Sequence, residues 1–214
     1  MTPAEVITEV RRVISDTLIP QRYSDAFLLG FVNQTLKRIS ILRPDLFGVI
    51  GDISTTPNVV LQSMPLDSIR LMEIFQVKDG DAITEVSRET FDQTYPNWVA
   101  ELPDVPVNFM RHVRNPNKFF LYPRPRAGIV LVAEYAQTPA NYSLIDTIDL
   151  LPDAYFPTVV DGTIFLVESI DDESATSGRA KSFLESFTQS LGVSLQSRNI
   201  TDTEEAGLDP RQVI

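Results

Sequence analysis

The stretch that most constrains this chain is Lys118 to Gln137, which reads KFFLYPRPRAGIVLVAEYAQ. Phe119, Phe120, Leu121 and Tyr122 form a short aromatic and apolar run. Pro123, Pro125 and Gly128 mark a turn, and Ile129 to Tyr135 is rich in β-branched residues. Two such runs across a Pro/Gly turn predict a β-hairpin. Whatever the two ends of the chain do, its middle must supply sheet.

The ends carry a different period. Thr2-Pro3-Ala4-Glu5 matches a capping box with Pro at the first helical position. Val6, Val10, Val13 and Ile14 follow at helical spacing, so a first helix is expected to reach Thr17. Ser24-Asp25 opens a second helix, with Phe27, Leu28, Phe31, Val32, Leu36 and Ile39 on one broad apolar face. It ends at Arg43-Pro44-Asp45-Leu46-Phe47-Gly48. Pro152-Asp153 starts a third helix, and Asp171-Asp172-Glu173-Ser174 breaks or kinks it. Arg179 to Leu195 is the fourth. Phe27, Phe31, Leu36, Phe165, Phe183 and Phe187 recur at core spacing and are expected to be buried.

Between these ends, Val49-Ile50, Ile53 to Thr56 and Val59 to Leu61 are short β runs. Ile69 to Val77 fits a strand or a helix, with strand favoured for its second half. Ser87 to Thr94 predicts a short helix, residues 99–108 a Pro-containing surface loop, and Phe109 to Arg114 a strand turning at Asn115-Pro116-Asn117. The expected fold class is α+β, a helical bundle formed by the N- and C-terminal helices with a β-rich insert containing a hairpin. As one domain over residues 1–214 it takes helices from 1–47 and 152–196, the insert from 48–138, and an extended tail from 197–214 that is too polar to fold alone.

Several chemistries are disfavoured by the residues themselves. There is no Cys, so neither a disulfide framework nor a thiolate metal site is possible. The single histidine, His112, lies in a predicted strand, where it reads as a packed or surface residue rather than a catalytic base. Asp171-Asp172-Glu173 lacks the alternating ligands and central Gly of a calcium loop. No Gly-rich phosphate loop and no membrane-spanning run is present, and the start lacks a signal-peptide pattern, so a soluble protein made in the cytoplasm is expected. No cofactor is expected. The net charge of −11 argues against a nucleic-acid-gripping surface. Arg111, Arg114, Lys118, Arg124 and Arg126 do gather near Phe119, Phe120 and Tyr122, a pattern that fits single-stranded nucleic acid. It fits better a hairpin with an apolar inner face and a basic rim.

The order of motifs resembles the head-to-tail adaptor proteins of short-tailed phages, the tail-tubular-A-like family. The resemblance runs through Val10-Arg11-Arg12-Val13-Ile14-Ser15-Asp16, Arg22-Tyr23-Ser24-Asp25-Ala26-Phe27 and Leu42-Arg43-Pro44-Asp45-Leu46-Phe47. It continues through Met64-Pro65-Leu66-Asp67-Ser68, Tyr95-Pro96-Asn97-Trp98, Asn115-Pro116-Asn117-Lys118-Phe119-Phe120 and Leu151-Pro152-Asp153-Ala154-Tyr155. The family is structural, so it carries over no catalytic residue. It implies a homo-oligomeric ring, usually a dodecamer, at the head-tail junction of the virion. That ring joins the portal protein to the tail nozzle protein and often lies where tail fibres dock, and DNA passes through its lumen. Two alternatives are a neck or head-completion protein of a long-tailed phage and a virion-associated peptidoglycan hydrolase.

Within that reading the stiff, polar turn holding Arg124 and Arg126 is expected to bind an acidic neighbour. Leu208, Val213 and Ile214 are expected to anchor the tail in a partner's groove. Residues 137–214 hold four basic and thirteen acidic side chains, net −9. Part of that region is expected to face the lumen, where repulsion lets DNA slide without specific binding.

Overall fold

A computed structural model describes residues 1–170 and 177–192. Contacts divide the chain into two compact units, Met1–Leu42 with Ala140–Ile214, and Arg43–Pro139. The fold is α+β, with helices toward both ends of the chain and sheet in its middle.

The helical unit is built from α1 (Pro3–Ile14), α2 (Asp25–Leu42), α4 (Phe156–Glu168) and α5 (Ser177–Ser190). α1 starts as expected. The Thr2 hydroxyl accepts from the Glu5 amide at 3.3 Å, and the Thr2 amide donates to Glu5 Oε2 at 2.7 Å. It stops at Ile14, short of Thr17, because Ser15 turns left-handed with φ of 60°. Asp16 then folds back onto Arg11. Arg11 donates to Asp16 Oδ2 and Asp25 Oδ1, both at 2.6 Å, and to the Tyr23 carbonyl at 2.8 Å. Asp16 in turn accepts from the backbone amides of Arg22 and Tyr23. One buried ion pair thus fixes the whole loop between α1 and α2.

α4 is the central helix and touches α1, α2 and α5. Val159, Val160, Gly162, Thr163, Ile164, Leu166 and Val167 are buried on several of its sides, which suits a helix surrounded by others. Val6 and Val10 of α1, Leu28, Val32, Leu36 and Ile39 of α2, and Phe187 complete this core. The aromatic expectation needs correction. Phe187 and Leu36 are buried, but Phe27 is 40% exposed, and Phe31, Phe165 and Phe183 are half-buried. These rings lie on the rim. Tyr23 stacks on Phe27 at 5.5 Å, Phe27 meets Phe31 edge-on at 4.9 Å, and the guanidinium groups of Arg38 and Arg179 lie over Phe165 and Phe183. The apolar face of α2 is wider than the surface that covers it.

The β unit holds two sheets. One is ordered β1 (Gly48–Ser54), β7 (Val130–Gln137), β3 (Ser68–Val77). The other is ordered β2 (Leu61–Ser63), β6 (Lys118–Tyr122), β5 (Asn108–Arg111), β4 (Thr84–Glu85). Ile53, Leu71, Ile74, Leu131 and Ala133 from the first sheet pack with Phe109, Phe119 and Leu121 from the second. The opposite face of the second sheet presents Met110, Phe120 and Tyr122 to Phe91 of α3 (Arg88–Thr94) and to Trp98.

The expected hairpin over 118–137 does not form. Both runs are strands, but β6 and β7 belong to different sheets. Pro123 and Pro125 have no amide to continue a ladder, and the segment between the strands is bonded elsewhere. The Arg124 carbonyl accepts from Asp104, Arg126 donates to the Asp104 carbonyl, and the Pro125 carbonyl accepts from Asn58. The hairpin of this unit is β5 with β6, closed by residues 112–117. Ile69 to Val77 is strand throughout, within β3. Its ten residues face seven of β7, with three register shifts, so burial repeats every third residue rather than every second.

Candidate interaction surface

The two arginines expected to bind a partner sit in the segment that carries the chain from β6 to β7. Arg126 is exposed and Arg124 half-buried. Neither forms an ion pair among the described residues, and the buried Arg124 Nε has no hydrogen-bond partner. The backbone beneath them is held on two sides by Asn58 and Asp104, so the side chains stand on a fixed base and not on a projecting hairpin tip.

Beside them lies an apolar surface, in the segment where the sequence predicts the stop of a short helix at Tyr95 to Trp98 and a surface loop over residues 99–108. Tyr95, Val99 and Leu102 are exposed, Leu102 at 82%. Their backbone is anchored by the aromatic cluster below. Tyr95 stacks on Tyr122 at 6.4 Å and packs against Phe91 at 5.2 Å. Trp98 Nε1 donates to Asp92 Oδ1 at 2.7 Å. Tyr122 Oη donates to Glu101 Oε2 at 2.8 Å, and this bond holds the phenol above its ordinary pKa. Glu101 and Asp104, the acids flanking Leu102, are thereby tied to Tyr122 and Arg124 through side chain and backbone. Aromatic and apolar side chains beside unpaired arginines match the composition of protein interface centres. The signal available in the sequence is the presence of Tyr95, Val99 and Leu102 within eight residues.

The rest of the basic cluster has other work. Arg111 donates to the Leu71 carbonyl at 2.8 Å, to the Met72 carbonyl, and to both oxygens of Glu85, so it ties β5 to β3. Arg114 and Lys118 lie at the other end of β6 from Arg124. The five cations therefore form no continuous track for a nucleic-acid strand. His112 Nδ1 accepts from the amides of Arg114 and Asn115, and its ring stacks on Phe120 at 5.6 Å. It caps a turn. Among the described residues no cluster of three or more His, Asp or Glu is placed to hold a metal, and no helix is long and apolar enough to cross a membrane. Leu208, Val213, Ile214 and the acids Asp171, Asp172 and Glu173 lie outside the described residues.

A family model for the SU10 adaptor protein matches residues 1–211. A search of the curated proteins finds no match.

Proposed function

We propose, from the premise that this chain belongs to the SU10 adaptor protein family, that it forms the ring between portal and tail nozzle of a short-tailed phage. Membership makes it a structural component of the phage head-tail junction, and the finer statement is our reading. The observation that carries it is the surface of Tyr95, Val99 and Leu102 beside the unpaired Arg124 and Arg126. An adaptor must hold a second protein, and this surface offers apolar anchors with cations that an acidic neighbour would neutralise. In this reading the nozzle protein docks here, tail fibres dock nearby, Leu208, Val213 and Ile214 anchor the C-terminal segment on the portal side, and DNA crosses the acidic lumen without specific binding.

The test is the double substitution Arg124→Glu with Arg126→Glu. Arg126 is exposed and Arg124 half-buried, and neither holds an ion pair among the described residues, so the expected product is a folded protein, checked by circular dichroism, that attaches to heads and fails to recruit the nozzle. Particles of normal composition and infectivity from this variant would overturn the assignment.

A further inference from the structure

The sheet of β1, β7 and β3 packs one face against the second sheet and leaves much of the other uncovered. Across that outer face Ile50, Glu134 and Glu73 stand in one row, as direct partners in the two ladders. Ile50 is 67% exposed, and Val130 and Val132, on the same side of β7, are half-buried. Glu134 Oε1 and Met72 Sδ lie together over Gly48, where a β-carbon would be 2.9 Å from the first and 3.4 Å from the second. Glu73 and Glu134 are like charges on facing positions, an arrangement that repels. Neither carboxylate has an ion pair or hydrogen bond among the described residues. Asp52, a further acid on this face, is spent on Lys78. The face is thus half apolar and holds two unneutralised carboxylates side by side.

Its complement is a cation that brings apolar surface with it. A phosphate backbone would be repelled, and among the described residues no three such groups converge to hold a metal. The chain itself carries the matching surface. In the helical unit each described cation already meets an acid, a hydrogen-bond acceptor or an aromatic ring. Of the nine cations in residues 43–139, four are in ion pairs within the unit. Arg124 and Arg126 belong to the surface described above, and Arg70 stands on β3 itself, three residues from Glu73. Arg114 and Lys118 remain, both without an ion pair among the described residues. They lie where two loops meet, residues 64–67 and 112–117. The Met64 amide donates to the Asn117 carbonyl at 2.9 Å, and Asn117 Nδ2 donates to the Ser68 carbonyl at 3.0 Å, so the loops are held rigidly together. Each presents a bare apolar side chain, Leu66 on one and Val113 on the other, both essentially fully exposed. We propose that these loops of one copy seat on the outer sheet face of the next, with Arg114 and Lys118 against Glu73 and Glu134, and that this contact joins neighbours in the ring. Charge and apolar surface are matched on both sides. The contact uses different surfaces on the two copies, the kind that closes into a ring when its rotation permits. It rests on the ring reading above.

The absence of cysteine makes a two-site test clean. A chain with Ile50→Cys and Val113→Cys is assembled into particles and treated with a short bis-maleimide. Each copy then offers one thiol on either side of the contact. The expected product on a denaturing gel is a ladder longer than a dimer, whose linked peptides join position 50 of one copy to position 113 of the next. Each single variant can give at most a dimer and is expected to give none. No ladder, a link within one chain, or a link to another virion protein would overturn the contact. Where such particles still carry this protein between portal and nozzle, the ring reading stands; its absence from that junction would overturn both. The second arm reverses charge. Glu73→Lys with Glu134→Lys is expected to abolish the ladder while circular dichroism stays unchanged, and Arg114→Glu with Lys118→Glu, made alone, is expected to do the same. Combining the two pairs is expected to restore the ladder. A ladder that survives either reversal, or that the combination does not restore, would refute the pairing.

Discussion

Gly162 of α4 faces the ring of Phe187 on α5 so closely that a β-carbon there would lie 2.7 Å from Phe187 Cε2 and 2.7 Å from Thr35 Cγ2 of α2. Three helices converge on a position where only hydrogen fits. Gly162→Ala should therefore destabilise the helical unit by about 1–3 kcal/mol through overpacking, despite the better helix propensity of alanine. Gly30 of α2 has nothing within 4 Å of its would-be β-carbon. Gly30→Ala should stabilise by roughly 0.5–1 kcal/mol. Thermal melts of the two variants should shift in opposite directions, and a shared sign would contradict the packing described.

The Arg11–Asp16 pair should matter far more than the other ion pairs. Both side chains are under 10% exposed, whereas Arg12–Glu9 and Lys181–Glu185 lie largely in solvent. Asp16→Ala leaves a buried guanidinium and two backbone amides short of an acceptor, so a loss of about 3–5 kcal/mol is expected. Lys181→Ala should change stability by less than about 0.5 kcal/mol. Denaturant midpoints measure both.

Core and rim aromatics should separate cleanly. Phe187→Ala, at a buried site, should cost about 3–5 kcal/mol. Phe27→Ala, on the exposed flank of α2, should cost no more than about 1 kcal/mol. Equal losses in chemical denaturation would restore Phe27 to the core.

Alkaline pH should weaken the helical unit through Tyr142. Its ring is buried, and burial, aided by Asp149, pushes the phenol from 10 up to about 12. Tyr142 is held in place by Asn33, whose side chain accepts from its amide at 2.9 Å and donates to its carbonyl at 3.0 Å. A raised pKa means that the neutral phenol is favoured in the folded state. Its contribution is intact below pH 10 and is lost as pH rises through the folded value, up to about 3 kcal/mol. Tyr142→Phe should lack that part of the loss between pH 10 and 12. Superimposable stability curves for the two proteins over that window would refute the assignment.

Local chemistry was legible wherever it decides the element. The Thr2–Glu5 capping box, the start of α2 at Asp25 and the strands on either side of Pro123 could all be read from residue types and spacing. What could not be read was choice of partner. A run such as Ile129 to Tyr135 announces a strand, but its pairing with β1 and β3 rather than β6 depends on contacts far along the chain. Likewise Phe27 and Phe187 share the same helical spacing, and only the number of neighbouring helices decides which is covered. Arg111 and Arg124 look alike in sequence. One is spent on backbone carbonyls of β3 and the other is not, a difference created by tertiary structure alone.

The uneven pairing of β3 also bears on how this chain can vary. In a regular strand, tolerance to substitution alternates between two faces. Along β3 the inward positions are Ser68, Leu71, Ile74 and Val77, the half-covered ones Ile69, Met72 and Phe75, and the outward ones Arg70, Glu73 and Gln76. A saturation mutagenesis profile should carry a beat of three here, close to the rhythm of a helix. Related sequences that drift under such a constraint would keep an α-like pattern on a β element, which gives strand β3 a mutational signature of the wrong fold class.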